Sequence, residues 1–423
     1  RKSPYIKLYN NKIFSIKFQC HIINAILIFQ LLLLNYLIIY LRRGMNGKDR
    51  VTAAIARKPV DRIPLGFYAV DHDTVEKVLG RKTYVRNKIE IQIALWDGRR
   101  DEVAESLKKD TVDFYTKIDL ADLLLPKEAQ LLPPKDYEPN PPKKIEEDKW
   151  EDKEGRIFQA VRHANEIGCI YDPTIGKKEY TVDDFPINTN INPPDESVFE
   201  VFDYVNSKLG ADRYVAGWSH ITALTLLEST EIGLMMHAMQ PEVIHAANKK
   251  FVSEQNYLDQ FYIRKGVPGA LIEQDMAGTN GPMISPAMFR ELCYPYLKQR
   301  MQSAKRYTNQ IIFHSCGNNH PLMDMYIDCG VDCYQSLQTN AGMEVGIMKE
   351  KYGDRLCFWG GIPVEVLIAG DEDDVRKSVR TAIERGAKGS GFILGPSHSI
   401  AKNTKYENFM ALLDEFDKCK DKI

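Results

Sequence analysis

Short apolar segments alternate with longer amphipathic segments from about residue 208 to the C-terminus. The short segments are rich in β-branched and aromatic residues, which predicts strands, and the long ones repeat apolar residues at three- and four-residue steps, which predicts helices. The predicted strands are residues 214–217, 270–273, 310–313, 331–334, 356–359 and 391–394. The predicted helices are residues 224–239, 241–265, 286–307, 321–329, 345–352, 373–385 and 406–419.

This alternation of strand and helix predicts an α/β fold with a parallel sheet. Two further candidate strands, residues 62–67 and 112–118, bring the total to the eight that form a (β/α)₈ TIM barrel. Residues from about 126 to 207 are rich in Pro, Lys, Glu and Asp and include a hairpin-like segment at 149–158. We therefore predict one barrel domain over residues 45–423, with a long insertion at about 126–207 that could act as a lid.

The first 44 residues differ from the rest, because residues 22–41 are almost continuously apolar and long enough to span a bilayer. Three polar side chains interrupt this run, and Met45 opens a more polar sequence. We expect residues 1–44 to be an extension outside the native protein, with translation starting at Met45. The alternative is a membrane anchor or uncleaved signal segment, and association with a membrane is expected only in that case.

Charge and cysteine usage narrow the class of partner. With 56 basic and 58 acidic side chains the chain is nearly neutral, so it lacks the basic surface expected of a nucleic-acid-binding protein or of one that binds anionic membranes. Small molecules are therefore the expected partners. The eight cysteines are scattered, without the dense spacing of a secreted disulfide scaffold, which favours a reducing compartment and a cytoplasmic protein.

Candidate functional residues follow the predicted strands, because reactive groups in a barrel of this type lie where strands end and loops begin. These residues are His72, His220, Asp275, His314, Cys316, Gln335, Gly361 and His398. His72, His220, Gln335 and Gly361 are candidates for lining a substrate pocket. The alternatives are a surface histidine at a helix start for His72 and an ordinary tight turn for Gly361.

The pair His314 and Cys316 is the sharpest chemical signal, because imidazole nitrogen and thiolate sulfur are preferred zinc ligands. His398 is the candidate third ligand, and Glu273 or Asp275 could be a fourth ligand or an outer partner. Asp275 is also the candidate catalytic residue, able to hold a substrate nitrogen or exchange a proton. The alternatives are a buried cysteine, a hydrogen-bonded pocket histidine, a substrate-binding His398 and an acid that caps the following loop.

Several motifs resemble the uroporphyrinogen decarboxylase superfamily. They are Gly-Pro-Met-Ile-Ser-Pro at 281–286, His-Ser-Cys-Gly at 314–317, the run ending in Phe-Trp-Gly-Gly at 361, and Pro-Ser-His-Ser-Ile at 396–400. The likeness extends from about residue 46 to the C-terminus and is strong from about residue 269. It implies a (β/α)₈ barrel with one of two activities: cofactor-free decarboxylation of porphyrinogen acetate side chains, or zinc-assisted methyl transfer involving a corrinoid.

The residues favour the methyltransferase branch. True decarboxylases carry Arg-Gln-Ala-Gly-Arg near the first strand to hold substrate carboxylates, whereas residues 65–72 here read Leu-Gly-Phe-Tyr-Ala-Val-Asp-His. In the methyltransferase branch the His-x-Cys-Gly turn supplies two zinc ligands, which match His314 and Cys316. The third ligand there is a cysteine, and His398 takes its position. The resemblance thus implies zinc-dependent methyl transfer between a corrinoid, or a methylated small molecule, and an acceptor, with the corrinoid as substrate or on a separate partner protein.

Two other functions remain open. A decarboxylase would need an aspartate after the second strand to bind pyrrole N–H groups, and Asp119 and Asp122 are the candidates for that role. The third possibility is a barrel that binds a tetrapyrrole or a corrinoid protein without catalysis, because a fold alone does not fix a function.

Overall fold

The computed structural model describes residues 44–127, 132–220 and 223–422. The apolar segment at 22–41, with the anchor predicted as its alternative, lies outside the described residues. In the described ranges, no helix combines the length and the apolar character needed to cross a bilayer. Asn46–Ile423 forms one compact unit.

The helices and strands alternate along most of the chain. The helices are α1 (Gly47–Ile55), α2 (His72–Leu79), α3 (Lys88–Trp96), α4 (Arg100–Ile118), α5 (Glu200–Leu209), α6 (Thr230–Met239), α7 (Pro241–Tyr262), α8 (Pro286–Leu292), α9 (Tyr294–Ala304), α10 (Met323–Asp328), α11 (Val345–Tyr352), α12 (Val364–Ala369), α13 (Glu372–Gly386) and α14 (Tyr406–Cys419). Short 3₁₀ helices cover Val182–Asp184, Glu196–Phe199, His320–Leu322 and Thr339–Ala341.

The strands are β1 (Gly66–Phe67), β2 (Leu123–Leu124), β3 (Lys143–Glu146), β4 (Lys149–Glu151), β5 (Ile157–Val161), β6 (Glu166–Tyr171), β7 (Tyr214–Val215), β8 (Gly217–His220), β9 (Gly269–Glu273), β10 (Ala277–Gly278), β11 (Gly281–Pro282), β12 (Gln310–His314), β13 (Cys333–Gln335), β14 (Cys357–Ile362) and β15 (Phe392–Pro396). Six of them form a parallel sheet in the order β15-β14-β13-β12-β9-β8, and three form a parallel sheet in the order β1-β2-β7. The predicted α/β fold with parallel sheets is confirmed.

The carboxyl ends of the parallel strands carry the candidate functional residues, and the interior below them is packed with large side chains. Trp359 on β14 is fully buried, and its indole N–H donates to the Gly66 carbonyl oxygen at 3.2 Å. A Cβ atom at Gly395 would lie 2.7 Å from that indole nitrogen, so only glycine fits beside it. Around Trp359 pack buried side chains that include Leu123, Tyr214, Leu271, Ile312 and Ile393.

One predicted strand is wrong. Residues 112–118 are the last two turns of helix α4, whose buried positions Leu107, Thr111, Phe114 and Ile118 recur at the helical spacing. The second parallel strand is β2, and it begins only at Leu123. Asp119 and Asp122 therefore precede the second strand instead of following it.

Two predicted helices are shorter or divided. Residues 223–229 are not helical, because the backbone N–H groups of Ala223 and Leu224 donate to the Gln274 side chain and α6 begins at Thr230. The predicted helix at 286–307 divides at Cys293, just before a proline that lies in the first turn of α9.

The region predicted as an insertion contains an antiparallel sheet in the order β3-β4-β5-β6. Strands β4 and β5 pair antiparallel, as the hairpin-like sequence at 149–158 predicts. Trp150 and Ala160 of this sheet pack on Ile89, with Trp96 beside them. The sheet is thus attached to helix α3 by apolar contacts.

Candidate metal centre

A cavity of about 420 Å³ lies at the carboxyl ends of the parallel strands, and we call it the site cavity. Its walls bring together residues that follow β1, β2, β9, β12 and β15. The lining residues are Tyr68, Arg86, Lys88, Lys127, Glu273, Gln274, Asp275, His314 and His398. This is where functional groups are expected in parallel α/β folds.

Three of the predicted metal ligands lie close together, and the two histidines among them line the site cavity. His314 ends β12, Cys316 lies two residues further on, and His398 lies two residues after β15. One possible ligand atom from each residue lies within 4.8 Å of the other two. The structure therefore brings an imidazole and a thiol from the end of β12 together with an imidazole that follows β15, although β13 and β14 lie between these two strands in the sheet.

His314 is buried and held at one edge by Gln335. Its Nδ1 is hydrogen-bonded to the Gln335 amide oxygen, and its Nε2 lies 3.4 Å from the Cys316 sulfur. When Nδ1–H donates to the amide oxygen, Nε2 keeps a free electron pair on the side of Cys316. Burial lowers the pKa of His314 below its usual value, which favours the neutral imidazole that a metal requires.

Hydrogen bonds to its backbone N–H and carbonyl oxygen hold Cys316 in place. Its N–H donates to an Asp275 carboxylate oxygen at 2.7 Å, and its carbonyl oxygen accepts from the Asn319 side chain at 2.7 Å. Gly317 turns the chain with φ +84°, and a Cβ atom there would lie 2.3 Å from the Ala277 carbonyl oxygen. Burial, reinforced by the charge of Asp275, raises the pKa of the Cys316 thiol to about 12. A metal would therefore have to displace the thiol proton on binding.

His398 is exposed to the site cavity and has no hydrogen bond in the part of the chain that the structure describes. Its ring centroid lies 5.4 Å from that of His314 and 5.4 Å from that of Tyr68. Partial burial by the cavity walls, together with the charge of a protonated His314, lowers the pKa of His398 to about 4. Its imidazole is thus neutral and available as a ligand at neutral pH.

A polar cluster lies beside His314, and we call it the Tyr68 triad. It consists of Tyr68, Lys127 and Glu273. The Tyr68 ring stacks on the His314 ring with a centroid separation of 4.4 Å and an angle of 14° between the planes. Its hydroxyl donates to Glu273 and accepts from the Lys127 ammonium at 3.0 Å. Sequence reasoning missed Tyr68 and Lys127, although each follows closely after one of the first two parallel strands.

The electrostatics of the Tyr68 triad fix its charges. Burial and the negative charge of Glu273 raise the pKa of Tyr68, so its hydroxyl stays protonated. Burial also opposes ionisation of Glu273, but Lys127 and His314 outweigh it and hold the pKa of this carboxyl below its usual value. At neutral pH the triad therefore contains a phenol and a carboxylate beside the Lys127 side chain.

The positive side chains of the site cavity are each paired with a carboxylate. Arg86 Nε lies 3.1 Å from Asp71, and Lys88 Nζ lies 2.5 Å from Glu166. In the Tyr68 triad, Lys127 Nζ lies 2.5 Å from a carboxylate oxygen of Glu273. The cavity thus presents ion pairs rather than a row of free cations.

The remaining predicted site residues are distributed differently. Asp275 lines the site cavity, with a carboxylate oxygen 3.8 Å from His314 Nε2. Gln335 lies behind His314 and is fully buried. Gly361 faces helix α13, because a Cβ atom there would lie 3.0 Å from Ala382.

Of the two other histidines predicted to bind substrate, His72 lies outside the site cavity, and the prediction for the His220 side chain lies outside the described residues. His72 begins α2 and lines a separate cavity of about 810 Å³, where its Nδ1 lies 3.4 Å from the Asn165 amide nitrogen. His220 ends β8 and pairs in register with Glu273, and its side chain lies outside the described atoms.

Asp119 and Asp122 do not reach the site cavity. Asp119 is the C-cap residue of α4, and its exposed side chain pairs with Arg213 at 2.9 Å. Asp122 is buried, forms ion pairs with Arg50 at 2.6 Å and Arg62 at 2.9 Å, and is at the amino end of β2. The residue after β2 that lines the cavity is Lys127. Among the described residues that line the cavity, no aspartate follows the second strand.

Comparisons with known proteins agree with this arrangement. Residues 210–419 match the family model described as uroporphyrinogen decarboxylase (URO-D). Chloroplastic uroporphyrinogen decarboxylase from Nicotiana tabacum and chloroplastic uroporphyrinogen decarboxylase 2 from Oryza sativa subsp. japonica are each 26% identical over 171 residues. Each of these matches covers 40% of this chain and 41% of the length of the relative.

A solved structure extends the likeness over most of the chain. A methyltransferase from Methanosarcina mazei matches with a TM-score of 0.62 at 15% sequence identity, over 89% of this chain and 99% of the other. At that identity the likeness concerns the fold. By sequence, residues 210–419 thus match the uroporphyrinogen decarboxylase (URO-D) family, and the likeness to the methyltransferase extends the shared fold over most of the chain.

Proposed function

We propose that this protein is a zinc-dependent methyltransferase of the superfamily, which moves a methyl group between a corrinoid, or a methylated small molecule, and an acceptor. The observation that carries the proposal is the convergence of possible ligand atoms from His314, Cys316 and His398 to within 4.8 Å of one another, with both histidines lining the site cavity. Two imidazoles and a thiolate are donors that zinc accepts, and three protein ligands leave a fourth position open, as catalytic zinc sites require.

The surroundings of the three residues fit a metal site. Gln335 holds His314 Nδ1 and thereby leaves Nε2 free, which is the usual outer-shell arrangement of a ligating histidine. Zinc at this position would lower the pKa of an acceptor thiol, so that a thiolate is available near neutral pH.

Asp275 is the residue best placed to handle a proton of the acceptor. One of its carboxylate oxygens is used by the Cys316 N–H, and the second has no hydrogen bond within the described residues. Its side chain is 52% exposed and lines the site cavity. We therefore assign it the role of holding the acceptor or taking up its proton.

We also infer that the two parallel sheets form one closed (β/α)₈ barrel, with residues of about 126–207 inserted after the second strand. The backbone bridge between Leu65 and Leu394 supports closure on one side. On the other side β7 leads into β8 through the single residue Ala216. Closure would direct all eight strand ends towards the site cavity.

The volume of the site cavity indicates the size of the substrate that it can hold. A cavity of about 420 Å³ is in the range of small-molecule pockets, which suits an acceptor better than a whole corrinoid. We therefore propose that a separate corrinoid protein presents the methyl group at the cavity entrance. The seven described cysteines are free thiols, which fits a reducing, cytoplasmic setting.

Decarboxylation of uroporphyrinogen is the second candidate, because both plant relatives carry that name. The paired cations of the site cavity count against it, since a substrate with many carboxylates needs free basic side chains. This candidate predicts turnover of uroporphyrinogen without metal. A barrel that binds tetrapyrrole without catalysis predicts neither metal nor turnover.

The first test is the zinc content of the purified full chain beside four variants. We expect about one zinc per wild-type chain, and its loss in Cys316→Ala and His314→Ala. His398→Ala should retain zinc weakly, because the two ligands that remain, His314 and Cys316, are the ones fixed by hydrogen bonds. Cys169→Ala is the matched control, since this exposed cysteine lies outside the site cavity. A wild-type protein without zinc, or full zinc in Cys316→Ala, would overturn the proposal.

A second test separates the two activities. The zinc-loaded protein is assayed for methyl transfer from methylcobalamin to a panel of small thiols, and for decarboxylation of uroporphyrinogen. We expect methyl transfer that Cys316→Ala abolishes. Decarboxylation that persists in Cys316→Ala would select the second candidate.

A further inference from the structure

The Tyr68 triad has no task in the proposed reaction, yet its three side chains form a closed set of polar contacts. Tyr68 donates its hydroxyl proton to one oxygen of Glu273, and Lys127 Nζ lies 2.5 Å from the other oxygen. Lys127 also donates to the Tyr68 oxygen at 3.0 Å. Each polar group of the triad thus has a partner inside it, so the direction of the Tyr68 side chain is fixed.

The three residues come from distant parts of the chain. Tyr68 follows β1, Lys127 follows β2, and Glu273 ends β9, 205 positions after Tyr68. Tyr68 directly follows its strand and Glu273 is the last residue of its own, so the strands fix where these two residues lie. The triad therefore anchors the Tyr68 ring to the sheets rather than to one loop.

The anchored ring contacts both imidazoles of the candidate metal centre. It is parallel to His314 at 4.4 Å and tilted by 59° against His398 at 5.4 Å. Stacking of this kind constrains the face of a ring, whereas the hydrogen bond to Gln335 constrains only one edge of His314. For His398, the contacts with Tyr68 and His314 are the ring contacts that the structure gives.

We propose that Tyr68 is a positioning residue for the metal centre, which holds the His314 and His398 rings at the mutual position that a shared ion requires. Lys127 and Glu273 hold Tyr68 in place. This inference rests on the proposed function, because it presumes that the two imidazoles and Cys316 bind zinc. A tyrosine that only fills space would leave metal affinity unchanged when another apolar side chain fills the same volume.

The test uses two substitutions that remove different parts of Tyr68. Tyr68→Phe keeps the ring and loses the contacts to Glu273 and Lys127, whereas Tyr68→Leu also loses the stacking. Tyr84→Phe is the matched control, because Tyr84 donates to Glu102 in a similar bond outside the site cavity. Zinc affinity of the full chain is measured by competition with a chromophoric chelator. The visible spectrum of each protein loaded with cobalt(II) reports the ligand geometry.

We expect Tyr68→Leu to bind zinc about 10- to 100-fold more weakly than wild type, the range seen when outer-shell partners of metal ligands are removed. Tyr68→Phe should fall between wild type and Tyr68→Leu, because the ring remains but is no longer anchored. The cobalt(II) bands should shift in both variants and not in Tyr84→Phe. Glu273→Gln should resemble Tyr68→Phe, which provides a second route if Tyr68→Leu folds poorly.

Wild-type zinc affinity and an unchanged cobalt(II) spectrum in Tyr68→Phe, Tyr68→Leu and Glu273→Gln would overturn the inference. Thermal unfolding of the metal-free proteins distinguishes a packing role of Tyr68 from a positioning role. A lower unfolding temperature with unchanged metal affinity would show that Tyr68 only packs in the core, and this result would also overturn the inference. Failure of the proposed function is recognised separately, because it shows as absence of zinc from the wild type itself.

Discussion

Hydrogen bonds fix the His314 side chain and the Cys316 backbone, whereas the His398 side chain makes ring contacts with Tyr68 and His314 and no hydrogen bond within the described residues. His314 is buried against Gln335, and the Cys316 turn is tied to Asp275. His398 is exposed and follows a strand at the far edge of the six-stranded sheet. The candidate centre thus has a rigid end and a loosely held end.

This contrast indicates how the site would bind a metal. Two ligands fixed by hydrogen bonds lose little conformational freedom on binding, whereas a third ligand held through the faces of neighbouring rings can still adjust its distance to the ion. The same freedom leaves room for an acceptor at the open coordination position. We therefore expect substitutions at the rigid end to have larger effects than substitutions at the loosely held end.

The largest effect is expected from Gly317→Ala at the rigid end. The new Cβ atom would lie 2.3 Å from the Ala277 carbonyl oxygen at a residue with φ +84°. The strained backbone and the clash together should lower the free energy of unfolding by about 2–4 kcal/mol. Displacement of the Cys316 turn should also abolish zinc binding. Urea denaturation and zinc content check the two effects.

Gly342→Ala is the control for this prediction. Gly342 has φ +81°, but an added Cβ atom there would meet no heavy atom within 4 Å. It should lower the free energy of unfolding by only about 1 kcal/mol, the cost of the left-handed backbone, and leave zinc binding intact. Equal effects at the two glycines would show that the Cys316 turn tolerates displacement, and the rigid end would not be rigid.

The fold was predictable from sequence where the signals are local. Strands such as β12 and β14 are runs of apolar residues, each followed by an amphipathic helix, and both were found. The second parallel strand escaped, because Leu123–Leu124 is too short to show a period. The aromatic pair Phe114-Tyr115 at the end of α4 resembled a strand instead, and this error placed Asp119 and Asp122 on the wrong side of β2.

The residues of the candidate site also differ in whether a local sequence signal reveals them. His314, Cys316 and His398 could be singled out from sequence because each lies at the end of a recognisable strand or two residues after it. Tyr68 and Lys127 gain their importance from contacts with each other and with a carboxylate 205 positions from Tyr68. Such contacts depend on how distant strands assemble, and no local pattern in the sequence records them.

The second prediction removes the hydrogen bond that fixes the edge of His314. Gln335→Leu leaves the buried Nδ1–H without an acceptor and should weaken zinc binding about 10- to 100-fold. Gln335→Glu keeps an oxygen at the same position and should bind zinc at least as well as wild type. Chelator competition on both variants measures the difference. Equal weakening in the two variants would mean that Gln335 contributes volume and not its hydrogen bond.

The third prediction concerns Asp275, whose carboxylate fixes the Cys316 backbone. Asp275→Ala removes a charge-assisted hydrogen bond and should weaken zinc binding about 10-fold, whereas Asp275→Asn keeps an acceptor and should weaken it about 3-fold. Both variants should lose most methyl transfer, because neither can take up a proton. Full activity in Asp275→Asn would contradict the assigned proton role while leaving the positional one in place.

The smallest effect on affinity is expected at the loosely held end. His398→Cys replaces one zinc donor by another, and the exposed side chain has no hydrogen bonds within the described residues to lose, so zinc affinity should stay within about 3-fold of wild type. The cobalt(II) form should gain sulfur-to-metal charge-transfer absorption from the second thiolate. His72→Cys, in the separate cavity, is the control that should show no such gain. Loss of zinc in His398→Cys would mean that the backbone after β15 cannot bring a shorter side chain to the ion. His398 would then be as firmly placed as His314, and the contrast between the two ends would disappear.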